Sequence, residues 1–197
     1  TQLAARVGLF LGFGLLMGGG LFGSLVLAYR LRPPVRRANL DSELLLQLRD
    51  SLDKRSRTLM LLPSVAAGLL GGGVAASQSQ TFLAWTRATE FGTPDAVFGL
   101  DASFYVFQLP WWRFVLSYVS FMVVVCLVGS LLVHFLTGAM NSTAFRKTGN
   151  LKAAGRAAQR QVSILLGVAL LLYGVASFLD RYGYLTTQNN LFTGVNY

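Results

Sequence analysis

Charge is what this sequence has least of. Asp, Glu, Lys and Arg together make up 13% of its 197 residues, about half the share of an ordinary soluble domain. With 53% hydrophobic residues and a mean hydropathy of +0.52, the bulk of the chain has to face something other than water. There is a single cysteine, Cys126, inside an apolar run, so an internal disulfide and a cysteine metal site are both excluded. Cys126 reads as a small packing residue. A single histidine, His134, rules out an HExxH zinc site, and no pair of carboxylates lies at membrane depth. No metal and no cofactor is expected.

Acidic residues are the scarcer sign, 8 against 17 Lys+Arg, for a net charge of +9. Such an excess suggests nucleic acid until the positions of the charges are read. They sit between long uncharged stretches, and no zinc-finger, RNP or basic-zipper pattern accompanies them. Basic loops between hydrophobic spans are explained by the positive-inside rule, and no nucleic-acid partner is expected.

The uncharged stretches set the architecture. Val7 to Tyr29 is 23 residues without a charge, enough to cross a hydrocarbon core of about 30 Å at about 1.5 Å per residue. It lacks the charged start and small-residue cleavage site of a signal peptide. Further spans are expected at 58–78, 114–136 and 161–179. Pro63, in the first turns of the second span, is expected to produce a mild kink at most. The fold class is therefore all-α: a polytopic transmembrane helical bundle of four spanning helices, with short cytoplasmic amphipathic helices.

Charge also orients the spans. Residues 30–57 carry eight basic residues against four acidic ones, and 137–160 carries Arg146, Lys147, Lys152, Arg156 and Arg160 with no acid. Both loops are expected in the cytoplasm. The 79–113 loop has Arg87 and Arg113 against Glu90, Asp95 and Asp101, and the 180–197 tail has Asp180 and Arg181; these face outside. Trp85, Trp111, Trp112, Tyr182 and Tyr184 then form an outer aromatic belt. The expected location is the cell membrane, with Thr1 and Tyr197 both extracytoplasmic. Thr1 is not Met and no closing signal precedes Tyr197, so a longer chain is expected, with an odd number of spans, most simply one, before Thr1.

Pro33 and Pro34 break span one, and Asn39 or Asp41 can cap a new helix in which Leu40, Leu44, Leu45, Leu48 and Leu52 share one face. This helix lies on the inner leaflet or packs on the protein's own cytoplasmic loops; both readings fit. Lys152, Arg156 and Arg160 recur every four residues, a stripe that suits anionic lipid headgroups and equally serves as a topology signal. Span one holds Gly8, Gly12, Gly14, Gly18, Gly19 and Gly23, with small-xxx-small spacing at 8/12, 14/18 and 19/23. Such glycines let helices approach closely, so contacts with other helices of the same full-length chain, a homo-oligomer or a membrane complex are expected. Gly68, Gly71, Gly72 and Gly73 do the same in span two. Ser130 and His134 lie one turn apart on span three, but nucleophile and base on one helix at that spacing are usually incidental, and no carboxylate supports them. No enzyme is expected.

The outer loop is the most distinctive stretch. Gly92 to Asp95 reads as a turn, Ser103 to Leu109 as a short aromatic segment at the interface, and Asp95 and Asp101 as turn and cap residues. The segment from Phe91 to Arg113, together with Ala28–Pro33, Leu179–Leu185 and Leu191–Gly194, closely resembles an uncharacterised family of large actinobacterial membrane proteins, numbered 0182 in the uncharacterised series. The resemblance implies several N-terminal spans followed by a large extracytoplasmic region. It brings no catalytic residue and no substrate. Composition and resemblance together point to the membrane-embedded anchor and assembly region of a larger cell-envelope protein, with a transporter or channel component for an envelope substrate or lipid as the alternative.

Overall fold

The computed structural model describes residues 2–31, 43–137 and 155–186, with side chains omitted for 43–54 and 184–186. Five α-helices account for most of it: α1 (Gln2–Arg30), α2 (Glu43–Ser77), α3 (Ser79–Thr86), α4 (Leu109–Leu136) and α5 (Arg156–Asp180). Four segments, Gln2–Arg30, Arg55–Ser77, Phe104–Leu136 and Arg156–Gly183, are long and apolar enough to cross a membrane. Their leucines, valines and phenylalanines are exposed along much of their length, which suits lipid and would be intolerable in water. Among the described residues the one β feature is an isolated bridge between Pro94 and Asp101.

The contacts fix the direction of each helix. Ideal Cβ atoms at Gly14 and Gly18 would meet Gly68 and Ser64, and one at Gly72 would meet Phe10, so α1 and α2 run antiparallel with facing residues that sum to 82. Phe13 packs on Tyr118 and Ser24 on Ser130, so α4 runs parallel to α1. His134 pairs with Gln161 and Arg113 with Asp180, so α5 runs antiparallel to α4. The sequence of packing is α2–α1–α4–α5, and consecutive spans alternate in direction. The two basic segments, 30–57 and 137–160, are thereby linked to the same side of the bundle.

Two apolar clusters hold the bundle. Near the start of α1, Leu9 and Met17 meet Ala75, Trp111 and Tyr118; nearer its end, Leu21, Leu25 and Ala28 meet Met60, Cys126 and Val133. Helix α5 contributes little: its buried residues are Ala158 and Gln161.

Two elements differ from the sequence reading, and a third agrees with it: the amphipathic segment near Leu44 and the second span, both within α2, are two helical pieces that meet at Arg55, whose φ of −128° and ψ of 29° are not helical. Pro63 gives up only its own bond to the Leu59 carbonyl, which a helix near its membrane entry tolerates. The aromatic segment before span three is already helical: Phe104–Gln108 is a π-helical stretch that runs straight into α4, with Pro110 just past the junction. Of the three tryptophans assigned to the belt, Trp112 is exposed, while Trp111 is buried against Phe13, Phe82 and Trp85 as part of the core. Tyr182 packs on Phe98, Phe104 and Phe178; the side chain of Tyr184 lies outside the described residues.

The loop between α3 and α4 is built on its two aspartates. The Asp101 carboxylate accepts from the main-chain N–H of Phe91 (3.1 Å), Thr93 (3.2 Å) and Ser103 (2.8 Å). Asp95 accepts from the Phe98 N–H (2.8 Å) and the Tyr105 hydroxyl (3.2 Å). Gly92 and Gly99, with φ of +70° and +66°, make the reversals that a side chain would resist. The Ser103 hydroxyl and amide, followed by the Phe91 amide, hold the Asp101 carboxyl well below its usual range, and the Phe98 amide lowers that of Asp95. Because both are depressed, their contribution is complete above the unfolded value of about 3.9 and is lost only as pH falls through the lower folded values. Hydrogen exchange at the Phe91, Thr93 and Ser103 amides is therefore expected to stay slow, relative to intrinsic rates, on acidification from about pH 7 to about pH 4. Asp101→Asn, with one acceptor oxygen in place of two, should lose that protection at any pH.

Candidate functional site

Membrane interiors penalise polar groups that lack partners, so a polar cluster at membrane depth is the first place to look for function. One lies between α1, α4 and α5. Ser130 and His134, one turn apart on α4, are both fully buried, and Gln161 of α5 and Ser24 of α1 complete the group.

The hydrogen bonds can be assigned donor by donor. The Ser130 hydroxyl donates to the Cys126 carbonyl oxygen at 2.7 Å, a bond back to its own helix. The Gln161 amide donates to the Ser24 carbonyl oxygen (3.0 Å) and to Ser130 Oγ (3.1 Å). Ser24 Oγ lies 2.7 Å from Ser130 Oγ and 3.3 Å from the Cys126 carbonyl, so its proton points toward these two acceptors. A carbonyl only accepts, so the Gln161 NH₂ group must face Ser24 and its Oε1 must face His134. His134 Nε2, 3.0 Å from that oxygen, therefore carries the hydrogen. In the neutral ring Nδ1 is then a bare lone pair, buried with no partner among the described residues.

This arrangement bears on the serine–histidine pair noticed in the sequence. The two side chains do not bond to each other; Gln161 stands between them. The Ser130 proton is committed to a main-chain carbonyl, and both of its lone pairs receive donors from Gln161 and Ser24. A nucleophile needs its proton on a base, and here the base is turned away. What the cluster does is join three helices at one point.

The other residues singled out in the sequence fall in separate places. Gly14 and Gly18 lie in the α1–α2 contact, where an added Cβ would come within 2.9 Å of the Gly68 and Ser64 carbonyl oxygens. Gly8, Gly12, Gly19 and Gly23 lie on the opposite face of α1, with no atom within 4 Å of an added Cβ. Arg156 and Arg160 are exposed in the first turns of α5; Lys152 lies outside the described residues. No group of three or more His, Cys, Asp or Glu that could hold a metal occurs among the described residues. Ser24 and Gln161 were not singled out in the sequence. Gln161 is, however, an uncharged polar residue just inside the charged start of an apolar helix, a place where a buried hydrogen-bonding side chain can be sought.

The profile of the uncharacterised protein family UPF0182 matches residues 1–197. A UPF0182 protein of Streptomyces coelicolor is 36% identical over 183 residues, 93% of this chain and 18% of its own length. One from Frankia casuarinae is 36% identical over 199 residues, all of this chain and 19% of its own. One from Mycobacterium tuberculosis is 37% identical over 199 residues, all of this chain and 20% of its own. The chain thus spans about a fifth of the length of these relatives. No solved structure matches it. The chain of four apolar helices, joined through glycine contacts and a buried polar cluster, belongs to the uncharacterised protein family UPF0182.

Proposed function

We propose that residues 1–197 are the membrane-embedded anchor and assembly region of a larger cell-envelope protein. The observation that carries this reading is the distribution of polarity. The centres of all four spans are free of Asp, Glu, Lys and Arg, and Tyr118, Ser130 and Gln161 within the bundle bond between helices or back to their own helix. Proton relays and coupled ion sites generally place charged groups there. No reaction is assigned to the chain, because Ser130 and His134 are engaged with Gln161. Arg156 and Arg160, exposed at the charged start of α5, are offered to anionic lipid headgroups, each worth about 1 kcal/mol near the surface. Other helices of the full-length chain are the expected neighbours of the outward glycines of α1.

In this reading the 30–57 and 137–160 segments face the cytoplasm and the 79–113 loop faces outside. Cysteine replacing Leu48 or Lys152 should resist a membrane-impermeant thiol reagent in intact cells, whereas cysteine replacing Ala96 should react. The reverse pattern would overturn the orientation.

A second reading, a transporter or channel component, is favoured by the unpartnered nitrogen of His134 at membrane depth. The structure of the complete assembly separates the two. A continuous polar path across the bilayer through this cluster supports transport, and closed apolar packing around it supports the anchor.

A further inference from the structure

Helix α5 is held in an unusual way. Between Gln161 and Asp180 none of its residues is buried, and Ile164, Leu170, Leu171 and Tyr173 are widely exposed. Lipid tails are as apolar as these side chains, so hydrophobicity gives α5 no reason to stay against α4. Its polar attachments lie at the two ends, and between them Leu165 packs on the apolar cluster shared by α1 and α4. At the Asp180 end, Asp180 pairs with Arg113 at 3.4 Å, and just beyond it the Arg181 guanidinium lies 5.6 Å from the Phe98 ring and Tyr182 packs on Phe98 and Phe104. At the other end the attachment is Gln161.

We propose that the Ser24–Ser130–His134–Gln161 cluster is a proton-binding site, and that proton uptake by His134 releases the Arg156 end of α5 from α1 and α4. The argument is one of hydrogen-bond capacity. A neutral His134 satisfies Gln161 with Nε2–H and leaves at Nδ1 a lone pair, which tolerates burial. An imidazolium carries N–H on both nitrogens; Nε2–H keeps Gln161, but the new Nδ1–H is buried with no acceptor. The alternative neutral tautomer does not relieve this, because turning the Gln161 amide to suit it would set Oε1 against the Ser24 carbonyl oxygen. Protonation therefore favours whichever arrangement gives Nδ1–H a partner. The cluster lies within about one to two helical turns of the ends of α1, α4 and α5, so a small outward swing of α5 exposes His134 to interfacial water. The Asp180–Arg113 and Arg181 contacts stay in place as the pivot.

The surrounding charges do not compete with this assignment. On the described packed elements they are Arg30 of α1, Arg55 and Arg57 of α2, and Arg156 and Arg160 of α5, all exposed. Tyr29 of α1 and Cys126 of α4 are the other titratable side chains at this depth among the described residues.

The test uses the full-length protein in lipid bilayers, with nitroxide labels on cysteines replacing Leu27 of α1 and Leu166 of α5. Both positions are exposed, and every other cysteine, Cys126 included, is replaced. Distances are measured at about pH 7.5 and about pH 5, on either side of the ordinary histidine value. The expected result is one narrow distribution at the higher pH and a longer, broader one at the lower. His134→Gln, whose amide can donate to Gln161 Oε1 and does not titrate, should keep the narrow distribution at both. A wild-type distribution that does not change with pH, or an equal change in His134→Gln, overturns the proposal. If His134→Gln does not insert, Gln161→Leu replaces it. That variant should show the long distance at both pH values, and a pH-dependent distance in it overturns the proposal as well.

Discussion

Alanine at Gly14, Gly18, Gly68 or Gly72 is expected to destabilise the bundle by about 1–3 kcal/mol each, whereas alanine at Gly8, Gly12, Gly19 or Gly23 should be neutral or stabilising by up to about 1 kcal/mol. The two sets share residue type, substitution and membrane environment, so the contrast isolates helix contact. In the first set the new methyl carbon meets backbone. It would stand 2.9 Å from the Gly68 carbonyl oxygen at position 14, 2.9 Å from that of Ser64 at position 18, and 2.6 Å from that of Phe10 at position 72. Carbonyl oxygens in an α-helix cannot turn aside, so the helices must separate and lose dispersion contact along their length. In the second set the methyl meets nothing within 4 Å, and the helix gains the intrinsic preference of alanine over glycine. Thermal unfolding in mild detergent, followed by tryptophan fluorescence, gives the ranking. Equal effects from both sets would mean that α1 and α2 do not cross as described. A loss confined to the full-length protein at Gly8, Gly12, Gly19 or Gly23 would instead place another of its helices on that face.

This contrast also marks how far the sequence could be read. The spans were legible because crossing hydrocarbon demands length and freedom from charge, and both are local properties: Val7 to Tyr29 declares itself without reference to any other part of the chain. Which glycines touch a neighbour was not legible. Glycine occurs on opposite faces of α1, and the pairing that selects Gly14 and Gly18 is made by Gly68 and Ser64, some fifty residues away. The break at Arg55 was legible for the same reason as the spans, since it falls where the charged amphipathic segment ends and the second uncharged stretch begins. The polar cluster was half visible. Ser130 and His134 share one helix and their spacing drew attention, but spacing on one helix does not say what stands between the two side chains. The residue that organises them, Gln161, comes from another helix, and Ser24 from a third, 106 positions before Ser130. No periodicity within a span encodes that meeting; the fold has to supply it.

Replacing Gln161 by leucine is expected to cost about 1–3 kcal/mol of bundle stability, with most of the loss traceable to His134. The Ser24 carbonyl oxygen lies within α1, where the helix supplies a partner of its own, so losing the amide donor leaves it satisfied. Ser130 keeps its bonds to Cys126 and Ser24. His134 Nε2–H, in contrast, loses the acceptor it has at 3.0 Å and is an orphaned donor for as long as α5 stays docked, beside an Nδ1 that has no partner among the described residues, so the loss falls on the docked arrangement. Leaving one polar group stranded costs more than the bond itself contributes, and removing both partners avoids that cost. Measured interhelical hydrogen bonds in membranes contribute only about 0.6 kcal/mol on average, so the two accounts predict different double mutants. If stranding dominates, His134→Leu combined with Gln161→Leu should be more stable than Gln161→Leu alone. If the cluster contributes only as summed hydrogen bonds, the double variant should be no better than the single one. A mutant cycle over wild type, Gln161→Leu, His134→Leu and the pair, measured by reversible unfolding in micelles, decides between them. A Gln161→Leu variant as stable as the wild type would remove the cluster from any role in holding α5.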